Sequence, residues 1–189
     1  MIIYLEGVDG SGKSTLATKL YKKLRLLLTG EMAVHNDMET TINTNPRKPN
    51  RLNYVELINV LTFMADDKTN LYILDRGPIS DVVYQLFGTE SPLLSLSECL
   101  GLMSALGKRV ILIHCNPTNA YELMKARGDD NPVALKNHKL LSNIYNMIMP
   151  SFKPITYDFN TDSFNDLTKN IYTTLTKLTK LTKVKGGLK

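Results

Sequence analysis

The sequence predicts an α/β fold: a five-stranded, mostly parallel sheet with helices on both faces. Three observations carry that expectation. Five short apolar runs recur along 189 residues, patterns of helical period separate them, and a glycine-rich turn follows directly on the first run. Near-continuous apolar runs suit strands covered on both faces. Strand–helix–strand repetition implies parallel pairing through right-handed crossovers, with ligands bound beyond the carboxyl ends of the strands.

The elements follow in order. Strands are expected at 2–6 (IIYLE), 32–36 (MAVHN), 71–75 (LYILD), 109–115 (RVILIHC) and 154–159 (PITYDF). The first helix is expected over 14–28. There Leu16, Leu20, Leu24, Leu27 and Leu28 form one stripe, and Lys19, Lys22, Lys23 and Arg25 lie mainly outside it. Further helical patterns cover about 53–67, 79–87, 95–106, 117–127, 137–149 and 163–181. In the last, Ser163 is placed to cap the helix, with Asp166 three residues on.

Composition narrows the class. Hydrophobic residues make up 43% and charged residues 22%, an ordinary soluble balance. No apolar run approaches a membrane span, and no basic segment precedes the first apolar run as in a signal peptide. Cys99 and Cys115 lack metal-site spacing and sit among apolar neighbours, so buried thiols and a cytoplasmic chain are expected. The net charge of +5 favours an anionic ligand, nucleotide and nucleic acid alike. His35, His114 and His138 form no ligand set in the sequence.

The glycine-rich turn is GVDGSGKST, residues 7–15. Gly7, Gly12, Lys13 and Ser14 fill the pattern G-x-x-x-x-G-K-[ST] between a strand and a helix, as a phosphate-binding P-loop requires. Glycines let successive backbone N–H groups turn inward as an anion nest, and the helix beginning near Lys13 adds its dipole. ATP or GTP is therefore expected against Gly7, Asp9, Gly10, Ser11, Gly12, Lys13, Ser14 and Thr15. Lys13 would reach the β- and γ-phosphates and Ser14 would ligate Mg²⁺. The second informative stretch is LYILDRGPISDVVYQ, 71–85. Asp75 ends a buried strand, where it would approach Mg²⁺ or its waters. Arg76 beside it projects toward the same crevice, with a fork that can clamp phosphate oxygens.

Together, LEGVDGSGKST and DRGPISDVVYQ resemble the thymidylate kinases and related deoxynucleoside kinases. Glu6, Gly7, Asp9, Gly12, Lys13 and Ser14 fill the first family pattern. Asp75, Arg76, Ser80, Tyr84 and Gln85 fill the second, with Gly77 where the family has an aromatic or His. LMKARGDD, 123–130, is similar to the start of the family's lid, and NHKLLSNIYNMIM to its post-lid helix, with Tyr145. The resemblance implies a P-loop kinase fold as a single domain over 1–189. It implies a lid at about 126–138 and acceptor-binding regions at about 37–54 and 75–88. It further implies phosphoryl transfer from ATP to a deoxynucleoside monophosphate, dTMP or a related pyrimidine. Asp9 would then meet the acceptor sugar or phosphate, and Arg76, with Arg47 or Arg51, would hold the phosphate. Ser80, Tyr84 and Gln85 would line the base pocket, and Arg127 would spread transition-state charge. Family members are usually homodimers.

The chain also departs from the family. HNDMETTINTNPRKPNRLNY, 35–54, has no Arg-Glu-Pro-Gly segment; LTFMADD, 61–67, carries Asp67 where the family has Arg; and Lys136 is the only cation in GDDNPVALK after Arg127. Neither Phe63 nor Tyr54 is singled out as the stacking ring. A second enzyme reading therefore stands beside the first. A hydroxyl acceptor, in a deoxynucleoside or within DNA, needs a carboxylate base, and Asp37 or Glu39 lies in the right region. The basic end TKLTKLTKVKGGLK, with Lys177, Lys180 and Lys183, would suit DNA phosphates, or simply an amphipathic helix with a frayed end. A third reading, an ATP-dependent nucleic-acid-binding switch, has neither a guanine-specifying Asn-Lys-x-Asp nor an RNA-binding aromatic motif behind it.

Overall fold

A computed structural model describes residues 1–37, 51–85, 94–128 and 132–179 of the chain. The five strands are β1 (Ile2–Glu6), β2 (Ala33–Asp37), β3 (Asn70–Asp75), β4 (Val110–Cys115) and β5 (Ile155–Tyr157). They form one parallel sheet in the order β2-β3-β1-β4-β5. All five residues of β1 are buried, as a central strand covered on both faces demands.

Among the described residues, six α-helices lie between strands and a seventh follows β5: α1 (Lys13–Leu27), α2 (Arg51–Asp66), α3 (Pro78–Gln85), α4 (Leu96–Leu106), α5 (Ala120–Ala126), α6 (Pro132–Ile148) and α7 (Phe164–Thr179). They bury two cores, one on each face. Ile3 and Leu5 of β1 pack with Leu16, Leu20 and Leu24 of α1 and Leu167, Ile171 and Leu175 of α7. Ile2 and Tyr4 face the other way, toward Leu57 and Leu61 of α2, Val83 of α3, Leu102 of α4 and Leu141 of α6. The alternation along β1 sends successive side chains to opposite layers.

The sequence expectations hold for every strand and helix as an element, with local differences. α6 begins at Pro132, five residues ahead of the expected start, because proline suits the first helical turn. α5 starts at Ala120 rather than 117; Pro117 and Thr118 still belong to the turn leaving β4. β5 spans three residues rather than six, since only Ile113–Cys115 of β4 pair with it. Two 3-10 helices, Gly107–Arg109 and Met149–Phe152, were not expected. Ser163 does accept from the Asp166 N–H, at 3.3 Å. Ser95 and Glu98 form a capping box on α4 that the periodicity alone did not single out. Both cysteines are buried free thiols, pushed up to about 12 by burial. No described helix is long and apolar enough to cross a membrane.

Candidate active site

The P-loop runs from the end of β1 to the start of α1. Gly7, Gly10 and Gly12 take φ of 145°, 82° and 77°, and the chain turns tightly enough for Ser11 N–H to donate to Val8 O at 3.2 Å. No side chain caps α1, so its first N–H groups and its dipole face the loop. Lys13 is buried inside the turn, where its ammonium donates to Val8 O at 2.7 Å and Ser11 Oγ at 3.2 Å. Burial, with the nearby Arg76 charge, lowers its pKa to about 8. The loop thus wraps a buried cation ahead of an uncapped helix N-terminus, an arrangement that suits an anion.

Next to it, Ser14 Oγ donates to Asp75 Oδ2 at 2.5 Å, joining the first turn of α1 to the end of β3. The other carboxylate oxygen, Asp75 Oδ1, is buried without a partner. Mg²⁺ keeps several waters and takes one or two protein oxygens beside phosphate oxygens. A hydroxyl and a carboxylate with an unpaired oxygen fit that donor set. Among the described residues, no group of three or more His, Cys, Asp or Glu converges as a metal site.

Arg76 is a non-glycine residue at φ 77°, a sparsely populated conformation that needs support from its surroundings. Its N–H donates to Leu5 O at 2.9 Å, which holds the strand end against β1. Its guanidinium pairs with Asp9, stacks over the Tyr84 ring at 4.7 Å, and donates to Tyr84 Oη and Ser80 Oγ at 3.3 Å each. Tyr84 Oη also accepts from the Asp9 N–H at 3.2 Å. Asp9 Oδ2 is buried and unpartnered. Gly77 follows because there is no room for anything larger. A Cβ there would come within 2.6 Å of the Tyr4 ring.

Beneath Arg76 lies a fully buried carboxyl. Glu6 Oε2 accepts from Ser80 Oγ at 2.5 Å and Tyr145 Oη at 3.4 Å, and Tyr145 Oη is 2.8 Å from Ser80 Oγ. Burial raises the Glu6 pKa to about 7 against the pull of the Ser80 hydrogen bonds and the Arg76 and Lys13 charges. The Tyr145 ring stacks on His114, whose β4 position pairs with Glu6 in the sheet. Ser80 is therefore committed to a polar network behind the guanidinium.

A cavity of about 490 Å³ opens on the other side of the P-loop. Gly10, Gly12 and Thr15 form one wall, Leu123 of α5 and Arg127 just past it another, and Phe159 after β5 a third. Its size and largely apolar wall suit a small-molecule ring. The Phe159 ring lies so close over Gly12 that a Cβ there would meet it at 3.1 Å. The structure thus brings Arg127, at the C-cap of α5, to the same cavity as the P-loop.

No protein-family model and no curated protein sequence matches the chain. Solved structures do. YorR from Bacillus subtilis, in complex with phosphorylated GDP, superposes with a TM-score of 0.68 at 21% identity, covering 96% of this chain and 99% of its own. Shikimate kinase from Acinetobacter baumannii, in complex with shikimate, gives 0.51 at 17% identity, covering 96% and 95%. Deoxyadenosine kinase from M. mycoides, with dCMP and a flexible dCDP bound, gives 0.50 at 16% identity, covering 94% and 100%. The fold is that of the P-loop kinases. Lys13, Ser14, Asp75, Arg76, Asp9 and Tyr84 gather at the ends of β1 and β3, and Arg127 lines the cavity beyond the loop.

Several expected residues fall elsewhere. Arg47 and Glu39 lie outside the described residues, as do Lys180 and Lys183 and the side chains of Asp37, Arg51, Tyr54 and Gln85. The backbone of Asp37 ends β2 level with Leu74 of β3. Phe63 is 72% exposed on α2. Asp67 binds the turn after α2, accepting from Thr69, Asn70 and Tyr72. Sequence reasoning gave no role to Glu6, His138 or Phe159. A buried Glu at the end of an apolar strand was the available signal for the first. The position of an aromatic just past a strand's carboxyl end was the signal for the last.

Proposed function

We propose that the chain is an ATP- and Mg²⁺-dependent kinase of a deoxynucleoside monophosphate, dTMP or a related pyrimidine nucleotide. The observation that carries this is the clamp of Arg76, Asp9 and Tyr84 set beside the P-loop. A phosphate dianion needs a fixed cation, and Arg76 is fixed on every side by an ion pair, a ring and a strained backbone. Asp9 Oδ2, buried and unpartnered, is available to accept from the acceptor's sugar hydroxyl. The cavity between Arg127 and Phe159 takes the donor base, and the P-loop takes its phosphates.

In this reading Lys13 leaves its loop partners for the β- and γ-phosphates. Arg76 aims the acceptor phosphate along the line of transfer, and Arg127 stands at the wall of the donor cavity. Bound Mg²⁺ would supply neutralisation of the phosphate charge. Ser14 and Asp75 would hold it. The experiment is acceptor-dependent ADP formation with wild type and Arg76→Lys. ADP should accumulate from ATP only when a pyrimidine dNMP is added. Arg76→Lys should raise the acceptor KM by about tenfold or more, because a point charge cannot reproduce the fork. A silent Arg76→Lys removes the clamp from the account.

A further inference from the structure

Asp9 is held on three sides. Arg76 takes its carboxylate, Tyr84 Oη takes its N–H, and the third hold comes from another part of the molecule. His138 Nε2, on α6, lies 3.1 Å from the Asp9 carbonyl oxygen. A carbonyl oxygen only accepts, so Nε2 carries the hydrogen and donates. The His138 residue is buried, and its ring packs at 5.3 Å and 60° against Tyr121 of α5. α5 itself presses on the loop one residue further along. At Gly10, φ 82°, a Cβ would come within 2.0 Å of Ala120 O. The peptide that carries Asp9 is therefore wedged between α5 and α6 on one side and α3 on the other.

We propose that His138 is a positioning residue for phosphoryl transfer. It fixes the Asp9 peptide so that the Asp9 carboxylate meets the Arg76 guanidinium, and so ties α6 to the acceptor-side clamp. This rests on the reading that Asp9 and Arg76 receive the acceptor. His138 touches neither acceptor nor donor; it acts through Asp9. A histidine that served packing alone would not need a donor aimed at this one carbonyl, and its loss would weaken donor and acceptor binding alike.

The test compares His138→Leu and His138→Phe, which lack a donor, with His138→Gln, which keeps a side-chain N–H. In the ligand-free chain, amide hydrogen exchange across residues 7–12 should quicken in the Leu and Phe variants and stay near wild type in the Gln variant. With ATP and dTMP, the apolar variants should raise the dTMP KM about tenfold, the scale of one lost positioning hydrogen bond, and leave the ATP KM within about twofold. In an Asp9→Ala background, His138→Leu should add little further loss, because the two act along one path. The proposal is overturned if neither apolar variant changes exchange, if ATP and dTMP KM rise together, or if the Gln variant loses as much as the others. If wild type phosphorylates no monophosphate, the functional reading falls instead, and the exchange data still decide whether His138 holds the loop.

Discussion

Lys13 lies inside the loop it serves, and burial has lowered its pKa to about 8. Triphosphate binding supplies the negative charge that the site lacks, so it should draw a proton onto Lys13. Calorimetric titration of ATP at pH 8.5 in buffers of different ionisation enthalpy should show proton uptake that Lys13→Ala abolishes, with turnover down by about 10²–10³. Glu6 gives a second pH signature. Its folded pKa of about 7 stands above its ordinary 4.5, so between those values the folded chain holds more protons than the unfolded one, and stability falls as pH rises. His114 has the opposite sign. Burial lowers it from 6.5 to about 4, so its contribution rises with pH across that window. The two oppose each other from 4.5 to 6.5. Glu6→Gln removes one of them. Its stability relative to wild type should improve from pH 5 to pH 8, by up to a few kcal/mol, in denaturant titrations at each pH. An unchanged difference across that range would mean that Glu6 is ionised throughout.

Among the elements, those whose chemistry is local were legible. The P-loop glycines and Lys13 identify themselves by spacing, because a nest followed by a helix N-terminus admits few other patterns. Asp75 and Arg76 could be read because a polar pair ends an apolar strand. What the sequence could not give was the partner of each group across the fold. Ser80 matched a base-pocket position, yet its hydroxyl points to Glu6, seventy-four residues away. His138 showed no ligand pattern because its partner is a backbone carbonyl 129 residues distant. Phe159 was hidden by the run that predicts β5. That run reads as a strand to residue 159, but pairing stops at Tyr157, and the two residues beyond it carry the ring over the P-loop. Phe159→Ala should raise the ATP KM about tenfold, the scale of one lost base-stacking contact, and leave the acceptor KM near wild type. Steady-state kinetics with each substrate varied in turn would read this. An equal effect on both substrates would place Phe159 outside the donor site.

At the scale of the whole molecule, the sheet order sets the site. β1 runs between β3 and β4, so the P-loop leaves the middle of the sheet. β3 delivers Asp75 and Arg76 beside it, and α5, α6 and the turn after β5 close around the other side. One crevice therefore has two walls of different character. The Arg76 side is charged and hydrogen-bonded, and the Phe159 side is largely apolar. That asymmetry is the basis for assigning acceptor and donor to opposite sides of the loop. The most direct measurement is the identity of the phosphorylated product. Wild-type protein would be given ATP and Mg²⁺ with dTMP, the other dNMPs, the deoxynucleosides, and single- and double-stranded DNA, and the products read by ³¹P NMR. The account predicts a deoxynucleoside diphosphate, formed best from dTMP or another pyrimidine monophosphate. A nucleoside monophosphate or a newly phosphorylated DNA end, with the dNMPs untouched, would contradict it, as would ADP and inorganic phosphate released without any acceptor.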